Sequence, residues 1–352
     1  MRVYVGTYTI RDSKGIYCFD LQESTGRMRL ISTCMTDNPS YICLTEGDRN
    51  LYCVNETEKY LDLNGGSVSA FQMHEGNINY INSISAVGRW PCHITIWKGL
   101  LFSASFGDGI LTAFELGKDG EILRECDRIC HKQQGDIAPH MHFVSSMHDA
   151  DILSVVDWGL DLIEFFILKD NHKLKKVSQI ELMKGSGPRQ IRYSADGKTL
   201  YIVCERSSTI EIFSWDVKYH TIIEHLQSIS TRARSDMNSD NQGGLQNAAA
   251  ALRITPNGRY IYVSNRGDNT ICCFKVDKYT GRLTYQSVLY LPFRFPRDFN
   301  ITQDGNMLLV ASQYDDKIRI YKINTEEGTL IDTEEACHVP SPVCIEFDNK
   351  QS

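Results

Sequence analysis

The chain has 352 residues, 42% of them hydrophobic and 23% charged, with a formal net charge of −7. That is a globular composition, and its acidic balance argues against a nucleic-acid binder, which presents a basic surface. No run approaches the roughly 18 to 20 apolar residues of a membrane span, and Met1-Arg-Val-Tyr-Val-Gly-Thr7 is too short and polar for a signal peptide.

The opening segment reads instead as a strand, at residues 2–7, followed by strands at 15–21 and 28–33. A repeat then sets in. Short strands begin at Pro39-Ser-Tyr-Ile-Cys-Leu-Thr45, Pro91-Cys-His-Ile-Thr-Ile-Trp97, Pro139-His-Met-His-Phe-Val-Ser145 and Pro188-Arg-Gln-Ile-Arg-Tyr-Ser194. They continue at Ala249-Ala-Ala-Leu-Arg-Ile-Thr255, Pro296-Arg-Asp-Phe-Asn-Ile-Thr302 and Pro342-Val-Cys-Ile-Glu-Phe-Asp348, with start-to-start spacings of 52, 48, 49, 61, 47 and 46 residues. Six of the nine prolines head one of these strands, where the missing N–H falls outside the ladder.

Each first strand is answered by a second about sixteen residues on, ending in a polar residue. Within the clearest copy, Ala195-Asp-Gly-Lys198 is a hairpin turn, since glycine accepts positive φ. Strands at 200–205, 209–215 and 222–230 complete it. This is the arithmetic of an all-β fold, a seven-bladed β-propeller with four-stranded blades, in which each blade needs its neighbours to bury its faces. The ends fit together: three N-terminal strands lack a first strand, and residues 343–347 supply one, closing the last blade. We therefore expect residues 1–352 to form one domain. The polar, glycine-containing segment 231–247 accounts for most of the 61-residue interval, and a loop that long is usually functional or disordered. Most of the twelve cysteines lie inside strand patterns with no CxxC pair, which reads as reduced, structural thiols and a cytoplasmic protein.

The topology also predicts a site. First and second strands form a hairpin with the first innermost, so head residues and second-strand ends crowd one mouth of the central channel. That mouth would collect His140, His142, Arg189, Gln190, Arg297 and Asp298 from the heads. Glu56, Asp157, Glu205, Asn265, Arg266 and Gln313 come from the ends. Unlike residues at equivalent positions mark a site, because a purely structural repeat solves the same packing problem in every blade. Asp157 and Asp161 read more simply as turn caps. His93, alone in its strand, reads as a satisfied buried histidine. His140 and His142 share a face, but no third metal ligand has recognisable spacing. Glu205 and Arg266 fit either an inter-blade ion pair or a site, whereas Arg189 and Arg297 favour anion binding through their guanidinium forks.

Several segments carry a resemblance over nearly the whole chain. They are Tyr4-Val-Gly-Thr-Tyr-Thr9 with Gly15-Ile-Tyr17, Ala138-Pro-His-Met-His142, Asp157-Trp-Gly-Leu-Asp161, Gly187-Pro-Arg189, Tyr262-Val-Ser-Asn-Arg-Gly267 and Phe295-Pro-Arg-Asp-Phe299. In this order they resemble the propeller lactonases, which include bacterial 6-phosphogluconolactonases of the propeller type and carboxy-cis,cis-muconate cyclases. The cyclase branch implies an active site of His140, Arg189, Glu205 and Arg266. His142, Gln190, Arg297, Asp298, Gln313 and Glu56 would then bind substrate. The family's usual residues differ at Gln190 and Asp268, both usually histidine, and at Trp158, usually leucine, which bears on substrate more than fold.

The resemblance implies a lactone hydrolase using no metal or other cofactor, with Glu205 or His140 as base and 6-phosphogluconolactone as substrate. The expected partner is a small anionic lactone, with no nucleic acid or membrane, in a monomer or small homo-oligomer. The alternatives are a cycloisomerase forming a lactone from a muconate-type diacid and a non-catalytic interaction propeller.

Overall fold

A computed structural model describes residues 1–45, 47, 49–147, 151–233 and 246–348. Among them lie seven four-stranded antiparallel sheets, each a blade of one ring. Blade 1 comprises Tyr41–Leu44, Asn50–Asn55, Ser67–His74 and Asn77–Ser85, and blade 2 Pro91–Trp97, Leu100–Ser105, Ile110–Leu116 and Ile122–Cys130. Blade 3 is Met141–Met147, Ile152–Asp157, Leu162–Leu168 and Leu174–Glu181; blade 4 is Pro188–Tyr193, Thr199–Cys204, Thr209–Asp216 and Thr221–Ser230. Blade 5 holds Ala248–Ile254, Tyr260–Arg266, Thr270–Val276 and Leu283–Tyr290, and blade 6 Pro296–Ile301, Met307–Ser312, Lys317–Ile323 and Leu330–His338. Pro342–Phe347 pairs with Arg2–Thr7, which continues through Gly15–Gln22 and Arg27–Met35 to make blade 7. Val3 lies opposite Phe347 and Val5 opposite Ile345, so the two chain ends share one sheet. An additional two-stranded hairpin, Lys59–Tyr60 with Leu63–Asn64, interrupts blade 1.

The second strands read as near-continuous apolar runs because both faces are covered, whereas the outermost strands alternate with exposed polar residues. The core divides into seven clusters, each spanning one junction between neighbouring blades. At the junction of blades 3 and 4, Trp215 is 1% exposed with its ring 4.6 Å from that of Phe165. Truncating such a side chain to alanine costs about 3–5 kcal/mol. All twelve cysteines are free thiols, seven of them buried in strand positions.

The first strands are not regular at their heads. The pairing slips by one residue between Pro91 and His93, Met141 and Phe143, Pro188 and Gln190, and Pro296 and Asp298, with a related slip between Ala249 and Leu252. These are β-bulges, which leave one residue unpaired and re-aim its side chain. They correct the expected register in blade 3. There the strand starts at Met141, opposite Asp157, as Pro188 starts opposite Cys204. Pro139 and His140 therefore precede the strand, and the counterpart of Arg189 is His142. The cause is local. Asp157 Oδ1 accepts the N–H groups of His140, Gly159 and Leu160, which holds the incoming chain off the ladder. Of the segment 231–247, residues 234–245 lie outside the described residues. Its described edges are tied down by Thr231 Oγ1 donating to Asn265 Oδ1 and by an Arg232–Asp268 ion pair at 2.7 Å.

Candidate active site

Two tiers of side chains line the mouth where the first strands begin. The inner tier comes from the head positions: Ser40, Cys92, His142, Arg189, Arg297 and Val343 line one pocket, and Ala250 occupies the corresponding place in blade 5. The outer tier is the residue reached where each second strand ends: Tyr8, Glu56, Phe106, Trp158, Glu205, Arg266 and Gln313. Each tier thus holds six residue types over seven blades, and the charged ones come from blades 4, 5, 6 and 1.

Blades 4 and 5 build a buried charge triad. Glu205 Oε2 lies 2.6 Å from Arg266 Nη2 and 3.2 Å from Arg189 Nε. Arg189 Nη1 also donates to the Ala250 carbonyl at 2.7 Å, which the small alanine leaves open, while its Nε–H points out of line and makes no hydrogen bond. Burial alone would raise the Glu205 carboxyl, but Arg266 and Arg189 outweigh it and hold it below the ordinary range. Burial and the neighbouring Arg266 press Arg189 down to about 9, still charged at neutral pH. Glu205 is therefore an anchor for two guanidiniums and a weaker proton acceptor than an ordinary carboxylate.

Blades 6, 7 and 1 supply a second linked set. Arg297 Nη2 donates to the Tyr8 hydroxyl at 2.8 Å, and that hydroxyl lies 3.0 Å from both Glu56 carboxylate oxygens. Burial raises Glu56, with Arg297 opposing, and raises Tyr8 as well. Cys92 is likewise pushed up by burial and Glu56, so its thiol is not an activated nucleophile.

His140 stands on the rim of blade 3. Its Nδ1 lies 2.7 Å from the Phe106 carbonyl oxygen; a carbonyl only accepts, so Nδ1 carries a proton, and in the neutral ring the lone pair sits on Nε2. The imidazole stacks on the Phe106 ring at 4.4 Å and meets Trp158 edge-on at 5.7 Å. Glycine at 159 is obligatory, because a β-carbon there would strike the Ala138 carbonyl and sit 2.9 Å from the imidazole. His142, on the other side of Phe106 with ring centroids 6.0 Å apart, is buried with Nδ1 unpartnered. Burial, then Arg189 and Arg297, keep it neutral by lowering it well below the ordinary value. Trp158 links this corner to the triad: Arg206 lies over its indole at 3.5 Å, and Gly187, with φ of 62°, packs against both.

The structure therefore brings Arg189, Glu205 and Arg266 into direct contact, joins Glu56 to Arg297 through Tyr8, and sets His140 and His142 about Phe106. Other expected residues serve differently. Gln190 Oε1 accepts from Leu252 N at 3.0 Å and Arg253 Nη1 at 3.2 Å, and Asp298 pairs with Arg253 at 2.9 Å and accepts from Ile345 N. Both are engaged in a belt deeper in the channel, one step past the bulge, yet they still line the same cavity as Arg189 and Arg297. Gln313 is buried with Oε1 unpartnered.

Asp157 is no mouth residue; Trp158 takes that place, one residue on. Asp157 caps its turn and receives His131 Nδ1 at 2.7 Å, and Asp161 accepts from Gly185 N and Gly187 N. His93 is only half satisfied, with Nε2 unpartnered. Sequence reading missed Tyr8, Cys92, Phe106 and Trp158, all recoverable from the same offset to the strand ends. Larger clefts, about 490 and 660 Å³, sit between blades 2 and 3 and between blades 7 and 1. Neither gathers three guanidiniums, so size does not identify the site here. Among the described residues no group of three or more His, Cys, Asp or Glu side chains is placed to hold a metal ion.

Comparison with known proteins bears on the family and the fold. The family model for lactonases with a seven-bladed β-propeller matches residues 2–347. The 6-phosphogluconolactonase of Bacillus subtilis is 26% identical over 98% of this chain and 97% of its own length. The crystal structure of a candidate 6-phosphogluconolactonase from Bacteroides fragilis is 29% identical and superposes with a TM-score of 0.89, covering 99% of this chain and 98% of the other. A periplasmic gluconolactonase from Pseudomonas aeruginosa, 24% identical over 98% of each chain, shares the fold at a TM-score of 0.89. The chain belongs to the seven-bladed β-propeller lactonase family.

Proposed function

We propose that the protein hydrolyses the lactone ring of a sugar acid that carries a second anionic group, with 6-phosphogluconolactone as substrate. One observation carries this reading: three guanidiniums against two carboxylates, beside an imidazole whose Nδ1 is held by a backbone carbonyl. In this mechanism His140 Nε2 takes a proton from the water that attacks the ring carbonyl. Arg189 Nε–H and Arg266 receive the developing oxyanion, and Arg297 takes the phosphate. Collapse of the tetrahedral intermediate breaks the ring C–O bond, and the imidazolium returns its proton to the departing alkoxide. Glu205 holds both arginines in place rather than acting as base. No step draws on a metal.

The names of the Bacillus and Bacteroides relatives support the phosphorylated substrate. The test is a panel of 6-phosphogluconolactone, gluconolactone and carboxymuconates, assayed before and after exhaustive chelation. Chelation-resistant turnover of the phosphorylated lactone, lost in Arg189→Ala, is the expected result. Turnover of muconates alone would instead indicate a cycloisomerase, and inactivity on every compound an interaction propeller.

A further inference from the structure

The channel has a second chamber. Midway along it, the ring of His93 lies 3.9 Å from that of Tyr41 and 3.8 Å from that of Phe143, and with the Gln190–Arg253–Asp298 belt these close the passage. Beyond them, at the mouth opposite the site described above, an open chamber of about 230 Å³ is lined by first strands alone. Its polar lining is Tyr41, His93, Thr95, Ser145, Arg192 and Glu346.

The hydrogen-bond balance of this chamber is lopsided. Arg192 lies over the Phe143 ring at 4.9 Å and donates one hydrogen bond, from Nη1 to the Ile191 carbonyl at 3.1 Å. Among the described residues it has no ion pair, so most of its donors are unspent. His93, 4% exposed, accepts from Val144 N at Nδ1, which places its proton on Nε2, and that Nε2 has no partner. A buried donor without an acceptor carries a desolvation cost that a ligand oxygen would relieve. Burial, opposed by Arg253 and reinforced by Asp298, raises Glu346 to about 7, and Glu346 makes no ion pair with Arg192 among the described residues. The phenol of Tyr41 and the hydroxyls of Thr95 and Ser145 complete a wall suited to a polyol.

We propose that this chamber is a second binding site, built for the carboxylate of a small polyhydroxy acid, with the carboxylate on Arg192 and His93 and the ligand hydroxyls on Thr95, Ser145 and Tyr41. It rests on the chamber alone and stands whether or not the lactone reading holds. The probe is sodium gluconate. Crystals of the full chain soaked with it are expected to show the carboxylate against Arg192 in the chamber, apart from any molecule at the other mouth. Calorimetric titration should show a binding component weakened at least about tenfold in Arg192→Met, the equivalent of one charge-assisted hydrogen bond. The same loss is expected in Thr95→Leu, which fills the chamber and spares the arginine, so the test survives a poorly folding first variant. Gluconate density absent from the chamber, or affinity unchanged in Thr95→Leu, overturns the proposal.

Discussion

Replacing Glu205 with glutamine separates an anchoring carboxylate from a catalytic base. The substitution preserves shape and removes the charge that faces Arg266 at 2.6 Å and Arg189 at 3.2 Å. Those arginines are 6% and 4% exposed, so water cannot replace the lost partner. Removing one member of a buried ion pair costs about 3–5 kcal/mol, because the remaining charge stays buried and uncompensated. With an unfolding entropy of about 2.1 cal/mol/K per residue, a chain of this length should melt roughly 4–7 °C lower. Lactone turnover should fall as well, since two guanidiniums that repel each other no longer converge on one point. Glu205→Asp should restore part of both losses. Thermal melts followed by circular dichroism, run beside lactone hydrolysis on the same preparations, give the answer. A Glu205→Gln protein that melts with the parent yet loses turnover by a thousandfold would show that Glu205 is itself the base, and the reasoning fails.

Three further outcomes follow from the same geometry. His140→Gln should lower kcat by about 10²–10⁴ with the melting temperature within a degree of the parent, the range expected for a lost general base; an equal fall in stability would mark His140 as structural. Arg297→Met should raise KM for the phosphorylated lactone at least about tenfold while sparing gluconolactone, because it removes a charge-assisted contact to phosphate alone; equal loss on both substrates would place Arg297 in the chemistry. His131 provides a pH test. Burial would lower it, but hydrogen bonds to Asp157 and Glu164, both 2.7 Å, raise it to about 9. Its folded value exceeds its unfolded one, so its stabilisation is complete below about pH 6.5 and disappears as pH climbs through 9, up to about 3 kcal/mol. Melting temperatures of the parent and His131→Gln should therefore converge between pH 7 and 10; a gap that stays constant refutes the assignment.

Much of the site was legible because repeated turns and prolines mark the strand heads and ends. Arg189, Arg297, Glu205, Arg266 and Glu56 could be assigned to one mouth from spacing alone. The errors share one cause. Counting from proline treats every head alike, yet the bulge inserts one residue, and in blade 3 the proline lies two residues before the strand. His140 was thereby aligned with Arg189, a place that belongs to His142, and Asp157 was assigned to the rim in place of Trp158. Gln190 and Asp298 sit one step past the bulge and line the same cavity, but their polar atoms are engaged by Leu252, Arg253 and Ile345. No local pattern states that Ala250 leaves space for the Arg189 guanidinium, or that Tyr8 from the first strand of the chain meets Arg297 from blade 6.

The order of amino acids by itself determined the repeat, the blade number and the closure of the ring. Strand alternation, Asp-Gly turns and proline heads are local, and a missing first strand at one end was matched by a spare one at the other. The tertiary structure alone decided which charges touch. Ion pairing depends on register to within a residue and on side-chain reach across blade junctions, and the contacts that set both join segments tens to hundreds of positions apart.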